Sequence, residues 1–388
     1  MLILIWRLRS WASLVADEVT PRAKAWADTM AGHRDGDLVR AHSDSQAKPG
    51  PGPIVRRELR EQRERATLRP GAAFADGAGN RAIAEEPDDE RTCFERDRDR
   101  IVHSTAFRRL AGKTQVVVYP TDHQRTRLTH ALEVAQVATS IARGVGVNVA
   151  LADAIALGHD CGHGPGGHAS EDAFDAFIPE GYDHGPWGAD VVLHGLNLCA
   201  ETLDGIRNHS WSRPAPLTVE GHIVSWADRI AYCAHDLEDA IHAGIVAPND
   251  LPEEIVDVCG RTRRQQLNTF VLAVVRAVEE HGEVAMPPKE AAALAALRTF
   301  NYERIYVRPE SLAQSRAVIE VLRALVEYYT DRPDLMPDGR EIAAQSNAAV
   351  RAAVTYVAGM TDRYAFDMAV RHLGWQPERL PHGIDRDT

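Results

Sequence analysis

An adjacent histidine and aspartate, His159-Asp160, stand where an apolar helical stretch gives way to glycine: Ala156-Leu157-Gly158-His159-Asp160-Cys161-Gly162-His163-Gly164-Pro165-Gly166-Gly167-His168. A helix end followed by a sharp turn sets the two side chains beside each other, one a borderline imidazole ligand and one a hard carboxylate. His130 upstream and Asp228 downstream each sit inside an otherwise apolar helical segment. Two imidazoles and two carboxylates converging from three helices suit Mn²⁺, Fe²⁺, Mg²⁺ or Zn²⁺ and leave coordination positions for water and phosphate. Taken singly, His130 reads equally well as a core histidine and Asp228 as a helix cap. The set of four points to a metal.

A second constellation follows at once. His168 and Glu171 are three apart and so share one helix face, with Gly166-Gly167 turning the chain back toward the first group. Such a pair can position or deprotonate a water and pass a proton to a departing oxygen; the plainer reading is a capping or surface pair. Arg127 precedes His130 by three residues and Arg229 directly follows Asp228. Arginine binds phosphate oxygens in a bidentate manner, so the two could neutralise a small polyanion. Tyr232 and Asp236 continue the face of Asp228 at helical spacing, where a tyrosine by itself reads as core.

The elements that must hold these groups are helices. Apolar residues recur three and four apart over 96–110, 125–143, 147–160, 168–177, 219–241, 262–279, 288–300, 310–329 and 343–359, as at Leu128, Leu132, Ala135 and Ala138. The β-branched runs at 116–118 and 305–307 are too short to alternate, and neither a βαβ rhythm nor a long repeat is present. The pattern predicts an all-α fold. Breaks containing proline at 214–216, 248–252 and 333–337 separate helices rather than domains. The expected organisation is an ill-defined extension with linker over 1–54, a charged helix and loop over 55–91, a catalytic domain over 92–280, and a C-terminal helical region over 281–388.

Composition narrows the function. The 388 residues are 44% hydrophobic and 26% charged, enough apolar material for a core. Asp plus Glu outnumber Lys plus Arg by 56 to 44, a net charge of −12 that disfavours general binding to duplex phosphate. Five scattered cysteines form no CxxC pair, so a disulfide framework and a thiolate zinc site are not expected and a reducing cytoplasm is. Residues 1–16 are apolar but interrupted by Arg7 and Arg9, too short for a spanning helix; an amphipathic helix or over-extended start is expected, with no membrane partner. The stretch 42–53 is rich in Ser, Gly and Pro, a linker. Arginines at 56, 57, 60, 63, 65 and 69 alternate with Glu58, Glu61 and Glu64, a solvated helix and a candidate subunit contact.

His130, His159-Asp160 and Asp228 resemble the metal signature of the HD-domain phosphohydrolases. The runs 94–110, 112–116 (Gly112-Lys113-Thr114-Gln115-Val116), 125–136, 203–206, 228–239 and 358–364 resemble the deoxyguanosine triphosphate triphosphohydrolase-like branch, over roughly residues 55 to 370. The resemblance implies hydrolysis of a dNTP to deoxynucleoside and tripolyphosphate by water attack on the α-phosphorus, with Mn²⁺ or Mg²⁺ first among cations and Fe²⁺, Co²⁺, Ni²⁺ or Zn²⁺ as alternatives. It implies an acid/base pair in His168 and Glu171, and phosphate contacts from Arg127, Arg229, His163, His184 and Lys113. Gln115 is implied at the nucleoside, Tyr232 against C2′ where a hydroxyl would clash, and Asp236 at the 3′-hydroxyl. A homo-oligomer such as a hexamer, and activation by a nucleotide or single-stranded DNA, are also implied.

Two positions depart from that pattern. Gly166 replaces a phenylalanine found in many members, and Gly185-Pro186-Trp187-Gly188 replaces a polar continuation after His184. A base preference other than guanine is the corresponding expectation. Two other functions compete: an HD phosphohydrolase of nucleoside monophosphates or alarmones, and a catalytically weak nucleotide sensor or nucleic-acid-binding regulator.

Overall fold

Several helices start on a side-chain cap and stop at a glycine. The computed structural model describes residues 20–116 and 124–381, and the expectations for residues 1–16 and for Val117 and Val118 lie outside them. The chain divides at Ile54/Val55. The first unit contains α1 (Pro21–Asp28) and a hairpin of β1 (His33–Asp35) and β2 (Leu38–Arg40), paired antiparallel with His33 opposite Arg40.

The second unit opens with α2 (Arg57–Thr67), α3 (Cys93–His103), α4 (Thr105–Arg109), α5 (Arg127–Val145) and α6 (Val149–Gly158). It continues through α7 (His168–Asp175), α8 (His184–Trp187), α9 (Ala200–Arg207), α10 (Val219–His242), α11 (Glu253–Cys259) and α12 (Arg263–His281). The last helices are α13 (Pro288–Asn301), α14 (Pro309–Asp331), α15 (Asn347–Ala358) and α16 (Asp362–Leu373). The fold is predominantly α-helical. Thr92 and Glu95 close a reciprocal cap on α3, Thr262 and Gln265 do the same for α12, and Gly146 ends α5 in the left-handed conformation.

The stretch read as one helix over 96–110 breaks at Ser104. That residue is extended, ends α3 and accepts from the Phe107 amide to start α4. Serine competes with helix continuation by bonding nearby backbone, which is why the break falls there. Helices α1, α8, α9, α11 and α16 and the β1–β2 hairpin are not among the segments expected from periodicity. The β-branched run at 305–307 ends a wide helical turn, Tyr302–Tyr306.

Two apolar cores organise this unit. One is built around α3, α5, α6, α10 and α12; the other joins α7 to α14, α15 and α16. The glycine-rich loop crosses between them, with Cys161 in the first and Ala169 in the second. All five cysteines are buried free thiols. Among the described residues no helix is long and apolar enough to cross a membrane.

Helix α2 is less solvated than its charge pattern predicts. Glu61 is buried and accepts from Arg57 and the Gly77 amide, Glu64 accepts from the Ala75 amide, and Arg60 pairs with Glu95 at 2.6 Å. One face of the helix thus ties down the loop that follows it. That loop carries Arg81, whose guanidinium is buried against Asp97 at 2.6 Å and also donates to the Cys93 and Asn197 carbonyls. The other carboxylate oxygen of Asp97 accepts from the Cys199 amide and the Thr202 hydroxyl. Asp97→Ala should destabilise the fold by about 3–5 kcal/mol, because it leaves a buried guanidinium without its anion. Urea denaturation measures this; a loss below about 1 kcal/mol would rule out the pair as a strut.

Candidate active site

His159 caps the C-terminus of α6, and its Nδ1 bonds the Ala156 carbonyl at 2.6 Å. That bond makes Nδ1 the protonated nitrogen, so Nε2 carries a lone pair. Nε2 is buried without a hydrogen-bond partner, 3.4 Å from Asp160 Oδ1 and 3.7 Å from Asp228 Oδ1. His130 comes from α5, its Nε2 3.0 Å from Asp228 Oδ1 and its Nδ1 buried and unpartnered. Asp228 comes from α10.

Ligand atoms of His130, His159 and Asp228 lie within 4.8 Å of one another, as do those of His159, Asp160 and His209. Lone pairs buried without donors are costly, and a divalent cation satisfies them; the donor set fits one. Burial opposes charge on both aspartates. The Arg127 guanidinium nevertheless holds Asp160 well below the usual carboxylate range, and the His130 hydrogen bond does the same for Asp228. Both remain carboxylates, as ligands must.

Around this centre lies a cavity of about 450 Å³. Arg127 lines it from the first turn of α5: Nη1 bonds Asp160 Oδ2 at 2.7 Å, while Nε and Nη2 are buried without partners among the described residues. His163 lies 3.3 Å from Asp160 Oδ1, yet neither ring nitrogen makes a hydrogen bond. Burial, with Arg127 beside it, pushes this imidazole well below its ordinary pKa, so it is neutral. Arg229 also lines the cavity, its guanidinium 3.4 Å from the centroid of the Trp211 ring.

His168 is exposed at the mouth of the cavity with Nδ1 bonded to Glu171 Oε2 at 2.7 Å. Glu171 Oε1 meets His184 Nδ1 at 2.7 Å and accepts from the His184 amide at 3.1 Å. His184 Nε2 faces His209 Nε2 at 3.1 Å, and His209 Nδ1 bonds the Ile206 carbonyl at 2.8 Å. Both Nδ1 atoms donate, so the contact between the two Nε2 atoms needs one imidazolium, at His184 or at His209. The titration directions assign it to His184, between Glu171 and His209. Burial disfavours charge on both rings, yet Glu171 raises the pKa of His184, while His209 falls to about 3.

Gln115, Tyr232 and Asp236 all line the same cavity. Gln115 Oε1 is buried without a partner. The Tyr232 hydroxyl accepts from Arg298 Nε at 2.9 Å, and Asp236 accepts from both Arg125 and the Tyr306 hydroxyl. Lys113 goes elsewhere. It is buried outside the cavity lining and donates to the carbonyls of His163 and Ala358, which ties the glycine-rich loop to the end of α15. Burial pushes its pKa down to about 8.

The two departures from the family pattern have packing reasons. Gly166 has a φ of +74°, and a Cβ there would lie 2.4 Å from Val318 Cγ1, so α14 fills the space beside it. Trp187, in the continuation after His184, packs on Tyr182 with centroids 4.8 Å apart in the second core. Sequence reasoning missed His209, Trp211, Arg298 and Tyr306. The first two stand in Asn208-His209-Ser210-Trp211, where a polar loop carrying a histidine and an aromatic was the available signal.

Residues 127–233 match the model of the HD domain, which spans the whole His/Asp centre. Residues 284–371 match the phosphohydrolase-associated domain, which supplies Arg298 and Tyr306. Fold and centre are thus those of a metal-dependent HD-domain phosphohydrolase. A deoxyguanosinetriphosphate triphosphohydrolase-like protein of Caldanaerobacter subterraneus is 41% identical over 316 residues, covering 80% of this chain and 93% of that one. One from Clostridium perfringens is 40% identical (79% and 94%), and one from Desulfatibacillum aliphaticivorans 38% (80% and 95%). The chain belongs to the deoxyguanosinetriphosphate triphosphohydrolase-like family.

Proposed function

We propose that this protein hydrolyses deoxynucleoside triphosphates to deoxynucleoside and tripolyphosphate. The supporting observation is that one cavity brings together the His/Asp centre, the His168 side chain bonded to Glu171, and the ring of Tyr232. A divalent cation held by His130, His159, Asp160 and Asp228 would polarise the α-phosphoryl oxygen. Water oxygen bonds to the α-phosphorus, the bond to O5′ breaks, and O5′ takes up a proton. His168, held through Nδ1 by Glu171, handles that proton at Nε2. Arg127 offers two unused donors to the phosphate oxygens, with Arg229 and His163 beside it.

Tyr232 discriminates the sugar. Arg298 anchors its hydroxyl and so fixes the ring at the cavity wall, with Asp236 one helical turn further on; on this reading the 2′-carbon of the sugar packs on the ring and the 3′-hydroxyl meets Asp236. Tyr232→Ala should raise NTP turnover relative to dNTP by roughly tenfold to a hundredfold, the scale on which a cavity rejects one extra hydroxyl. Ratios of kcat/KM for paired ribo- and deoxynucleotides measure it, and an unchanged ratio removes Tyr232 from this role.

The deciding experiment is turnover of each dNTP and NTP, singly and pooled, with Mn²⁺, Mg²⁺ or Co²⁺ and with products identified by mass. Tripolyphosphate with deoxynucleoside supports the proposal. Orthophosphate or pyrophosphate release moves the protein to an HD phosphohydrolase of other nucleotides, and binding without turnover moves it to a sensor. Activity confined to the pool indicates an activating nucleotide.

A further inference from the structure

The residues beside the His/Asp centre form a donor set of their own. Ligand atoms of His163, His168, Glu171 and His184 lie within 4.8 Å of one another. The rings of His163 and His184 stack at 3.8 Å with planes 17° apart, and His168 meets His163 edge-on at 4.8 Å. Three imidazoles surround one carboxylate. Three of these side chains have bonded nitrogens or oxygens; His163 does not. It is 1% exposed, and both of its ring nitrogens lack any partner within this cluster. A buried imidazole with no hydrogen bond is costly, and a cation in the cluster would supply the missing partner.

The geometry points to a second divalent-cation site formed by His163, His168, Glu171 and His184, selective for zinc-class ions, whose occupation blocks the enzyme. Once the incoming ion displaces the extra proton of His184, three imidazoles and one carboxylate make a four-donor set suited to Zn²⁺ or Co²⁺, whereas Mg²⁺ requires mostly oxygen ligands. The neighbouring His130, His159, Asp160 and Asp228 contribute two carboxylates and so favour harder ions by comparison. Asp160 Oδ1 lies between the two groups, 3.4 Å from His159 Nε2 on one side and 3.3 Å from His163 Nε2 on the other. Two cations sharing one carboxylate is a familiar arrangement in hydrolases. Here, however, the second ion takes the lone pairs that move protons. His168 cannot exchange a proton at a nitrogen that ligates zinc, and Glu171 cannot orient it. The loss of activity rests on the acid/base role proposed above; the binding of the ion does not.

Metal analysis after equilibrium dialysis of the full chain against Zn²⁺ provides the test without any substrate. Wild-type protein should retain two zinc ions per chain, with the second bound more weakly. His168→Ala should weaken the second by roughly tenfold or more, since one of four donors is lost. His168 is exposed, so that variant leaves the core intact. His168→Ala/Glu171→Gln should retain one ion. Co²⁺ in place of zinc adds a spectral readout: the second equivalent should bring intense visible bands of a four-coordinate site, absent from the double variant. A single zinc per wild-type chain, or two in the double variant, overturns the site. In turnover assays with Mn²⁺, zinc should inhibit over the concentration range in which the second ion binds. Two bound zinc ions with undiminished turnover would overturn the inhibitory assignment. A protein that binds two zinc ions but hydrolyses no dNTP leaves the site standing and refutes the substrate.

Discussion

Replacing Asp228 with Asn is expected to lower turnover by roughly a thousandfold or more while leaving the fold intact. Among the described residues Asp228 makes its side-chain hydrogen bond to His130, and its side chain is 21% exposed. The amide keeps the shape and can still pair with the imidazole. It removes one of the two negative charges that hold the cation, and a thousandfold corresponds to about 4 kcal/mol of transition-state stabilisation, within reach of a Lewis acid. Bound metal per chain should fall with kcat, and the thermal midpoint should move by only a few degrees. Asp160→Ala is a poorer test of the same idea. It would strand the Arg127 guanidinium, which is 2% exposed, at about 3–5 kcal/mol in stability, so lost activity could be lost fold. Near-normal turnover by Asp228→Asn with metal still bound would remove Asp228 from the centre.

The second large effect concerns Glu171. Glu171→Gln should lower kcat by about 10²–10⁴, the usual contribution of a positioned acid/base group, with the metal of the His/Asp centre still bound. The carboxylate receives His168 Nδ1, His184 Nδ1 and the His184 amide. Burial opposes its charge, but the hydrogen bonds from His168 and His184 outweigh burial and hold its pKa well below the ordinary value of 4.5. The sign of the pH effect follows. A carboxyl with a depressed folded-state pKa stabilises the fold above its unfolded pKa, and that contribution is lost as pH falls below about 4.5. Wild-type stability should therefore drop on acidification more steeply than that of Glu171→Gln, which has no such group to protonate. Equal acid slopes in urea melts, or a variant with unchanged kcat, would contradict the assignment.

Much of the helical framework was legible in the residues themselves. Apolar spacing marks α5, α6, α10, α12, α13 and α14 closely, because a 3.6-residue repeat is a local property that any buried helix face must satisfy. The same periodicity put Asp228, Tyr232 and Asp236 on one face of α10, and all three line the cavity. Where local chemistry competes, periodicity misleads. Ser104 splits a helix by capping both halves, and α2 reads as solvated although Glu61 is buried on the loop it supports. The cavity-lining residues that escaped notice arrive from far along the chain. His209 and Trp211 follow α9, Arg298 belongs to α13, and Tyr306 reaches Asp236 across the helical turn beyond it.

Residue type and spacing alone determined that this chain is helical and that His159 and Asp160 stand side by side at a helix end; the resemblance of its motifs to known relatives, not spacing, pointed to the deoxyguanosinetriphosphate triphosphohydrolase-like family. Tertiary structure decided which charges face the cavity. Lys113 and Arg127 look alike as phosphate ligands in the sequence. Packing gives Lys113 the carbonyl of Ala358, 245 residues away, and leaves two donors of Arg127 without a partner among the described residues. A buried cation must find a partner, and only the folded chain determines whether that partner is the protein's own backbone or an open cavity beside a metal centre.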